Sequence, residues 1–264
     1  MNINLFYYSG AGNTKFIAKK IQKQLLALSH QVNMMQINAD NSVNYDQQAD
    51  AYIIGFPVYD LSAPLLVQDL VGNLSKQNKP IAYFCTKAFL SVNSIKELHD
   101  ISSSKGFSTV ATLDLFMPAT DALALFAKSG STTEKILKSF HSKHLDKKVG
   151  AFIKRIEQAK KMHIANKRYS YLGVMIPKKA KQAFHDQYTV YIPQFYSKSD
   201  VCIECMLCVK GCPRDNIRFD DGIKFELNCD MCLACLHHCP VDSIQLGDYT
   251  KGTVRLRKIE INDK

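Results

Sequence analysis

Eight of the nine cysteines of this 264-residue chain fall between Cys202 and Cys239. Cys202, Cys205, Cys208 and Cys212 are spaced C-x2-C-x2-C-x3-C and followed by Pro213, and Cys229, Cys232, Cys235 and Cys239 repeat the spacing and end at Pro240. Three thiolates on one tight loop can take three corners of an iron–sulfur cubane, while the fourth, released by its proline, reaches elsewhere. Zinc also accepts four thiolates, but two C-x2-C pairs suffice for each ion and leave the doubled run without a purpose. Disulfides are disfavoured in a reducing compartment, where such crowding signals metal ligation. The spacing therefore points to two [4Fe-4S] clusters and to one-electron chemistry.

In the bacterial form of this run the fourth cysteine ligates the other cluster. On that pattern Cys202, Cys205, Cys208 and Cys239 hold one cluster, and Cys229, Cys232, Cys235 and Cys212 the second. The duplication continues past the ligands, since Pro213-Arg-Asp-Asn-Ile217 and Pro240-Val-Asp-Ser-Ile244 both read P-x-D-x-I, which implies a pseudo-two-fold unit. This stretch, roughly 197–248, resembles bacterial two-cluster ferredoxins. The resemblance implies that Ile217 and Ile244 help form the apolar shell around the clusters. Cys85 stands apart, either as a small buried hydrophobe at a strand end or beside a cofactor, and is not expected to be a ligand.

Near the N-terminus a second constellation follows the first expected strand: Ser9-Gly10-Ala11-Gly12-Asn13-Thr14, then a helix pattern. Free N–H groups and the positive end of a helix dipole meet at such a place, glycines permit close approach, and Ser9, Asn13 and Thr14 add hydroxyl or amide donors. A phosphate is the natural occupant. The run is neither a Walker A loop nor GxGxxG. At this position S-G-x-G-N-T resembles the loop by which flavodoxins hold the phosphate of FMN. Gly55-Phe56-Pro57-Val58-Tyr59 is similar to the loop with which that fold borders the flavin ring, and the likeness implies ring contacts from Pro57, Val58 and Tyr59. Thr86-Lys87-Ala88-Phe89-Leu90-Ser91 matches the other flavin loop loosely, without its usual glycines and tyrosine, and implies contacts from Thr86 and Phe89.

Taken together, the chain resembles iron–sulfur flavoproteins in which a flavodoxin-like domain is fused to a two-cluster ferredoxin. Met117-Pro118 fits a recurrent pair of that family, whereas Thr120-Asp121 replaces the polar-aromatic pair expected after it. The resemblance implies an α/β fold: a flavodoxin-like doubly wound parallel sheet followed by a small ferredoxin-like domain with two [4Fe-4S] clusters. It implies electron transfer between the clusters, FMN and a redox partner protein. An FMN-dependent reductase of a small acceptor, such as a quinone or unsaturated acid, is a second reading. A ferredoxin on a scaffold that no longer binds flavin is a third.

The elements that must position these residues follow from periodicity. Short apolar runs near Ile3–Tyr7, Val32–Ile37, Tyr52–Phe56, Ile81–Phe84 and Ala111–Leu115 read as strands. Helical patterns fill the gaps at Thr14–Leu28, Leu65–Leu74, Ser94–Lys105 and Thr133–Met162, the last with Ile136, Phe140, Val149, Phe152, Ile156 and Ala159 on one stripe. We expect a flavodoxin-like domain over 1–164, a basic connector over 165–196, the cysteine-rich domain over 197–248 and a tail over 249–264. The alternation TVRLRKIEI in that tail suggests a strand that docks back.

A hydrophobic content of 46% is ordinary for a chain with a real core. No run approaches the roughly 18–20 apolar residues of a membrane span. The N-terminal residues lack the basic segment of a signal peptide, so a cytoplasmic location is expected. The formal charge of +10 is unevenly spread: Lys143–Lys181 carries twelve Lys or Arg and two acids, which equals the whole excess. Such a block can be a solvated helix face, a docking site for an acidic redox partner, or a nucleic-acid site. No interleaved aromatic platform supports the last reading.

Overall fold

Five apolar runs of the first half become strands β1 (Asn2–Tyr7), β2 (Gln31–Gln36), β3 (Ala51–Pro57), β4 (Pro80–Lys87) and β5 (Ser108–Phe116) in a computed structural model. The structure describes residues 1–39, 49–59, 61–88, 91, 93–162, 179, 183, 186 and 189–257. All five strands pair in parallel, in the order β2-β1-β3-β4-β5. This is the flavodoxin-like doubly wound order, whose switch point lies between β1 and β3. Every residue of β3 is buried, as a central strand covered on both faces requires, whereas edge strand β2 alternates between exposed and half-buried.

Helices α1 (Asn13–Ala27) and α6 (Leu145–Met162) cover one face of the sheet. Their Ile17, Ile21, Phe152 and Ile156 pack on Leu5, Ile53 and Phe84. On the other face, α2 (Leu65–Asn73) and α3 (Ser94–Ser104) bury Val67, Leu70 and Leu98 against Phe6, Ile54 and Tyr83. Gly55 on β3 has no room for a side chain, because a Cβ there would stand 1.9 Å from Cζ of Phe84.

The single helix expected over Thr133–Met162 is two. Helix α5 (Thr132–Ser139) follows the short α4 (Thr120–Phe126), and α6 begins at Leu145. Between them Ser142 is buried and ties off the end of β5, its N–H donating to the Phe116 carbonyl at 2.9 Å and its hydroxyl accepting from the Phe116 N–H at 3.0 Å. Those two bonds replace helical ones, and His144 turns the chain with a φ of 56°. The apolar stripe is divided accordingly: Val149, Phe152, Ile156 and Ala159 are buried, but Ile136 is 59% exposed and Phe140 39%.

The cysteine-rich stretch repeats one structural plan twice. β6 (Phe195–Ser197) pairs antiparallel with β9 (Ile244–Leu246), and β7 (Ile217–Phe219) with β8 (Ile223–Phe225). Short helices α7 (Leu207–Lys210) and α8 (Ala234–His238) end the two cysteine loops at equivalent positions. Glu204, Met206 and Asp215 have positive φ, and so do Met231, Leu233 and Asp242, each separated from its counterpart by the interval between Cys202 and Cys229. Left-handed conformations cost a non-glycine residue about 1–3 kcal/mol each and persist where the surroundings over-determine them. They turn backbone N–H groups onto sulfur: Asn216 donates to Sγ of Cys212 at 3.3 Å and Ser243 to Sγ of Cys239 at 3.2 Å. The shared Asp of P-x-D-x-I is the left-handed residue just before each donor, a conformation Asp tolerates better than most side chains.

Most of the expected connector lies outside the described residues, as do the last residues of the tail, 258–264. The described tail docks back without forming a strand. The Val254 N–H donates to the Ala127 carbonyl at 2.9 Å, and Val254 and Leu256 are buried with Leu123 and Ala127. Among the described residues no helix is long and apolar enough to cross a membrane.

Candidate functional site

The carboxyl ends of the strands are where an open α/β sheet presents loops to a ligand. Here the loops after β1, β3, β4 and β5 surround one cavity. Of the residues singled out in the sequence, Ser9, Gly10, Ala11, Asn13, Thr14, Pro57, Val58, Tyr59 and Thr86 line it. Gly12 does not; it caps α1 with a φ of 106°, a backbone that glycine adopts without penalty. Phe89 lies outside the described residues.

Buried polar atoms hold this cavity in shape. The hydroxyls of Thr14 and Thr86 are 2.8 Å apart and both residues are buried, which joins the first loop to the end of β4. Asn13 donates its amide to the Pro118 carbonyl at 2.9 Å, which fixes its orientation, and its Oδ1 is buried without a partner among the described residues. A buried acceptor in that condition is costly unless a guest donates to it. Lys87 also lines the cavity, and its ammonium donates to Asp114 at 2.9 Å and to Ser91 at 3.0 Å. Asp114 also accepts from the Cys85 thiol at 2.9 Å. Burial works to raise the Asp114 pKa, but hydrogen bonds from Cys85, Ser91 and Lys87 outweigh it and hold the carboxyl below its ordinary value. Cys85 is thus fully buried and belongs to neither thiol quartet.

One wall of the cavity comes from the far end of the sequence. Asp230, Met231, Cys232 and Leu233, from the loop that opens the second cysteine run, face the Ser9–Thr14 loop across it. No periodicity or spacing signals this contact, since it joins residues more than two hundred positions apart. Asp230 accepts from the Tyr8 hydroxyl at 2.8 Å and pairs with Arg214 at 3.5 Å. The Ala39 N–H donates to the Pro213 carbonyl at 2.7 Å. Tyr59 sets its ring edge-on to Tyr8, with centroids 6.2 Å apart, and its hydroxyl lies against Gly10. Burial, then the nearby Cys232, Asp230 and Asp121, push its phenol pKa well up, so it stays protonated.

The eight cysteines divide between two further cavities. Cys202, Cys205, Cys208 and Cys239 line one, and Cys212, Cys229, Cys232 and Cys235 line the other. Each cavity therefore draws three cysteines from one run and the fourth from the other. Ile244 lines the first and Ile217 the second, both buried. The first quartet is near the surface, with Cys205 exposed beside Ile203 and Leu207. The second has no exposed cysteine; all four are half-buried. Burial raises the thiol of Cys229 to about 11 and raises those of Cys232 and Cys235 further. Such thiols become thiolates when a cationic guest offsets the desolvation. Among the described residues no group of three His, Cys, Asp or Glu side chains is placed to hold a single metal ion.

Two histidines stand between the second quartet and its neighbours. His237 is fully buried; its Nδ1 accepts from the Leu256 N–H at 3.1 Å, so Nε2 carries the proton and donates to the Thr120 carbonyl at 3.1 Å. Burial pushes its pKa down to about 3, which keeps the ring neutral. His238 lies half-buried beside Ala11 of the first loop, where burial lowers its pKa. Both serve packing between elements rather than a metal.

No protein-family model matches the chain, and no curated protein matches it. Solved structures similar to it include a flavodoxin of Streptococcus pneumoniae TIGR4 (13% identity, TM-score 0.45, 60% of this chain and 99% of that one). Oxidised Flavodoxin 2 of Bacillus cereus is 18% identical over 60% of this chain and 99% of its own, with a TM-score of 0.46. A flavodoxin from the domain Archaea is 16% identical over 61% and 99%, with a TM-score of 0.45. The strand order, independent of these distant likenesses, makes the first part of the chain flavodoxin-like.

Proposed function

We propose that this chain is an electron-transfer protein carrying FMN in the cavity at the sheet edge and a [4Fe-4S] cluster in each thiol quartet. The flavin stores one or two electrons and the clusters carry one at a time, so the three together convert between the two countings. The observation that carries this reading is that Cys232 belongs both to the second quartet and to the wall of the flavin cavity. One residue thereby brings the two redox sites side by side.

The donor sets fit these guests. For FMN, the Ser9–Thr14 loop offers backbone N–H groups at the N-terminus of α1, where a phosphate is favoured, and Asn13 Oδ1 offers an acceptor in need of a donor. Pro57, Val58, Tyr59 and Thr86 would border the ring. For the clusters, four thiols ring each cavity in the interleaved pattern, and N–H groups turned onto sulfur support negative charge there. The doubled plan of the cysteine-rich unit supports reading it as a two-cluster ferredoxin-like domain, and the working units are 1–164 and 197–248. The first quartet, whose Cys205 is exposed, is the point of exchange with a redox partner, and the second, through Cys232, is the link to the cavity. Exposed Lys143, Lys147, Lys148, Lys154 and Arg155 form a face suited to an acidic partner.

Anoxic purification followed by iron, acid-labile sulfide and flavin analysis tests the proposal. About eight irons per chain together with FMN is the expected result. A colourless protein holding two zinc ions overturns it. Steady turnover of a quinone or unsaturated acid without a protein partner moves the assignment to a reductase.

A further inference from the structure

The two thiol quartets are built on one plan, and among the non-cysteine positions that line both cavities one carries a polar side chain in each. Asn216 occupies it in the second and Ser243 in the first; each is almost fully buried and each donates its backbone N–H to the fourth cysteine of its run. Ser243 has spent its side chain elsewhere, its hydroxyl engaged with the Ser197 hydroxyl at 2.6 Å and the Lys198 carbonyl at 3.2 Å. Asn216 has not. Its backbone is held on both sides, by the bond to Cys212 and by the Glu226 N–H donating to its carbonyl at 2.9 Å, while its side-chain Oδ1 is buried with no partner among the described residues.

Apart from the cysteines, the residues lining the second cavity are Phe195, Pro213, Ile217, Phe225, Leu233 and Ala234, all apolar, together with Asn216. A buried amide in such a setting is costly unless something bonds to it. Half a turn of the side chain exchanges oxygen for the two N–H donors of the amide, and the sulfides and thiolates of a bound cluster are acceptors. We propose that Asn216 donates its side-chain amide to sulfur of the second cluster and thereby raises that cluster's reduction potential. A donor to sulfur favours the more negatively charged, reduced state. The first cluster receives no such bond from Ser243. Asp230, the carboxylate nearest the second quartet, opposes the effect, but it is shared by Tyr8 and Arg214 and is left unchanged by any substitution at Asn216. The consequence is that an electron in the chain rests on the cluster beside the flavin cavity.

This inference rests on the proposed cluster content, and the experiment separates the two. The whole holoprotein is titrated with reductant and followed by electron paramagnetic resonance, as the parent and as Asn216→Leu, Asn216→Ala and Ser243→Ala. A parent without iron sinks the cluster assignment itself. With iron retained, Asn216→Leu and Asn216→Ala are expected to shift one of the two midpoint potentials to more negative values and leave the other in place, and Ser243→Ala to shift neither. Two unshifted midpoints in either iron-loaded Asn216 variant overturn the role of Asn216 alone. A measurement on the unaltered protein covers variants that fail to load: asparagine labelled with nitrogen-15 in its side chain should give an electron–nuclear coupling at one cluster. Its absence equally overturns the proposal.

Discussion

Gly10 lies so close to Cys232 that a Cβ in place of its hydrogen would stand 2.7 Å from the Cys232 carbonyl oxygen and 2.8 Å from its Cβ. A glycine of the loop proposed to hold the FMN phosphate is here also the seat of the cysteine loop. The same hypothetical Cβ would meet the Tyr59 hydroxyl at 2.7 Å, so three segments converge where one hydrogen fits.

Gly10→Ala should therefore act on both sites. Overpacking of a fixed backbone contact costs about 1–3 kcal/mol, measurable by chemical denaturation. In the reconstituted protein we expect full iron content, weaker FMN retention, and flavin reduction through the clusters slowed at least about tenfold, the factor that 1.4 kcal/mol represents. Unchanged flavin reduction in stopped-flow traces would show that Gly10 does not seat the loop.

The interleaving of the quartets predicts crossed losses. Cys212→Ser, although it lies in the first run, should remove the cluster beside the flavin cavity and decouple the flavin from external reductant. Cys239→Ser, in the second run, should remove the surface cluster. Each variant should keep about four of eight irons, and their electron paramagnetic resonance spectra should be complementary. Losses that follow the sequence runs would refute the interleaving.

These predictions show where the sequence was readable. Periodicity identified all five strands, because parallel strands under two helical layers leave continuous apolar runs. The eight cysteines line two cavities, four in each, because each loop confines three sulfurs to one cavity. What stayed hidden were contacts between distant segments. Ser142 breaks a well-formed helical pattern because it satisfies the end of β5, a demand made by a strand that the local pattern does not contain. Asp230–Leu233 enter the cavity wall through Tyr8 and Gly10, and no local rule couples those positions. Ile136 looked like core by its spacing and is exposed, since the helix carrying it packs no buried residue.

Salt should report on the basic face. Lys147, Lys148, Lys154 and Arg155 are all exposed on α6, and charges of one sign there accelerate encounter with an acidic redox partner more than they tighten the complex. Electron-transfer rates to an acidic partner such as a small ferredoxin should fall at least about tenfold between 0.01 and 0.5 M salt, as the Debye length shrinks from about 30 Å to a few Å. Lys148→Glu with Lys154→Glu should remove most of that dependence. Rates flat with salt would leave the face as a solvated helix surface.

His237 ties the described tail to the cysteine-rich unit and to α4 through one neutral ring, bonded at Nδ1 by the Leu256 N–H and at Nε2 to the Thr120 carbonyl. Replacement by leucine keeps the volume and the burial but leaves a donor and an acceptor bare in an apolar setting. At about 1–3 kcal/mol for each unsatisfied group, with some relief from local relaxation, His237→Leu should cost about 2–4 kcal/mol. The loss should be local in character: amide exchange at Leu256 and Val254 should accelerate strongly, while Ile53 at the centre of the sheet should follow only the global change. His238→Leu replaces a ring that remains partly exposed beside Ala11, so it should cost less and leave Leu256 protected. If Leu256 exchanges at the parent rate in His237→Leu, the tail is held by the packing of Val254 and Leu256 on Leu123 and Ala127 rather than by the imidazole.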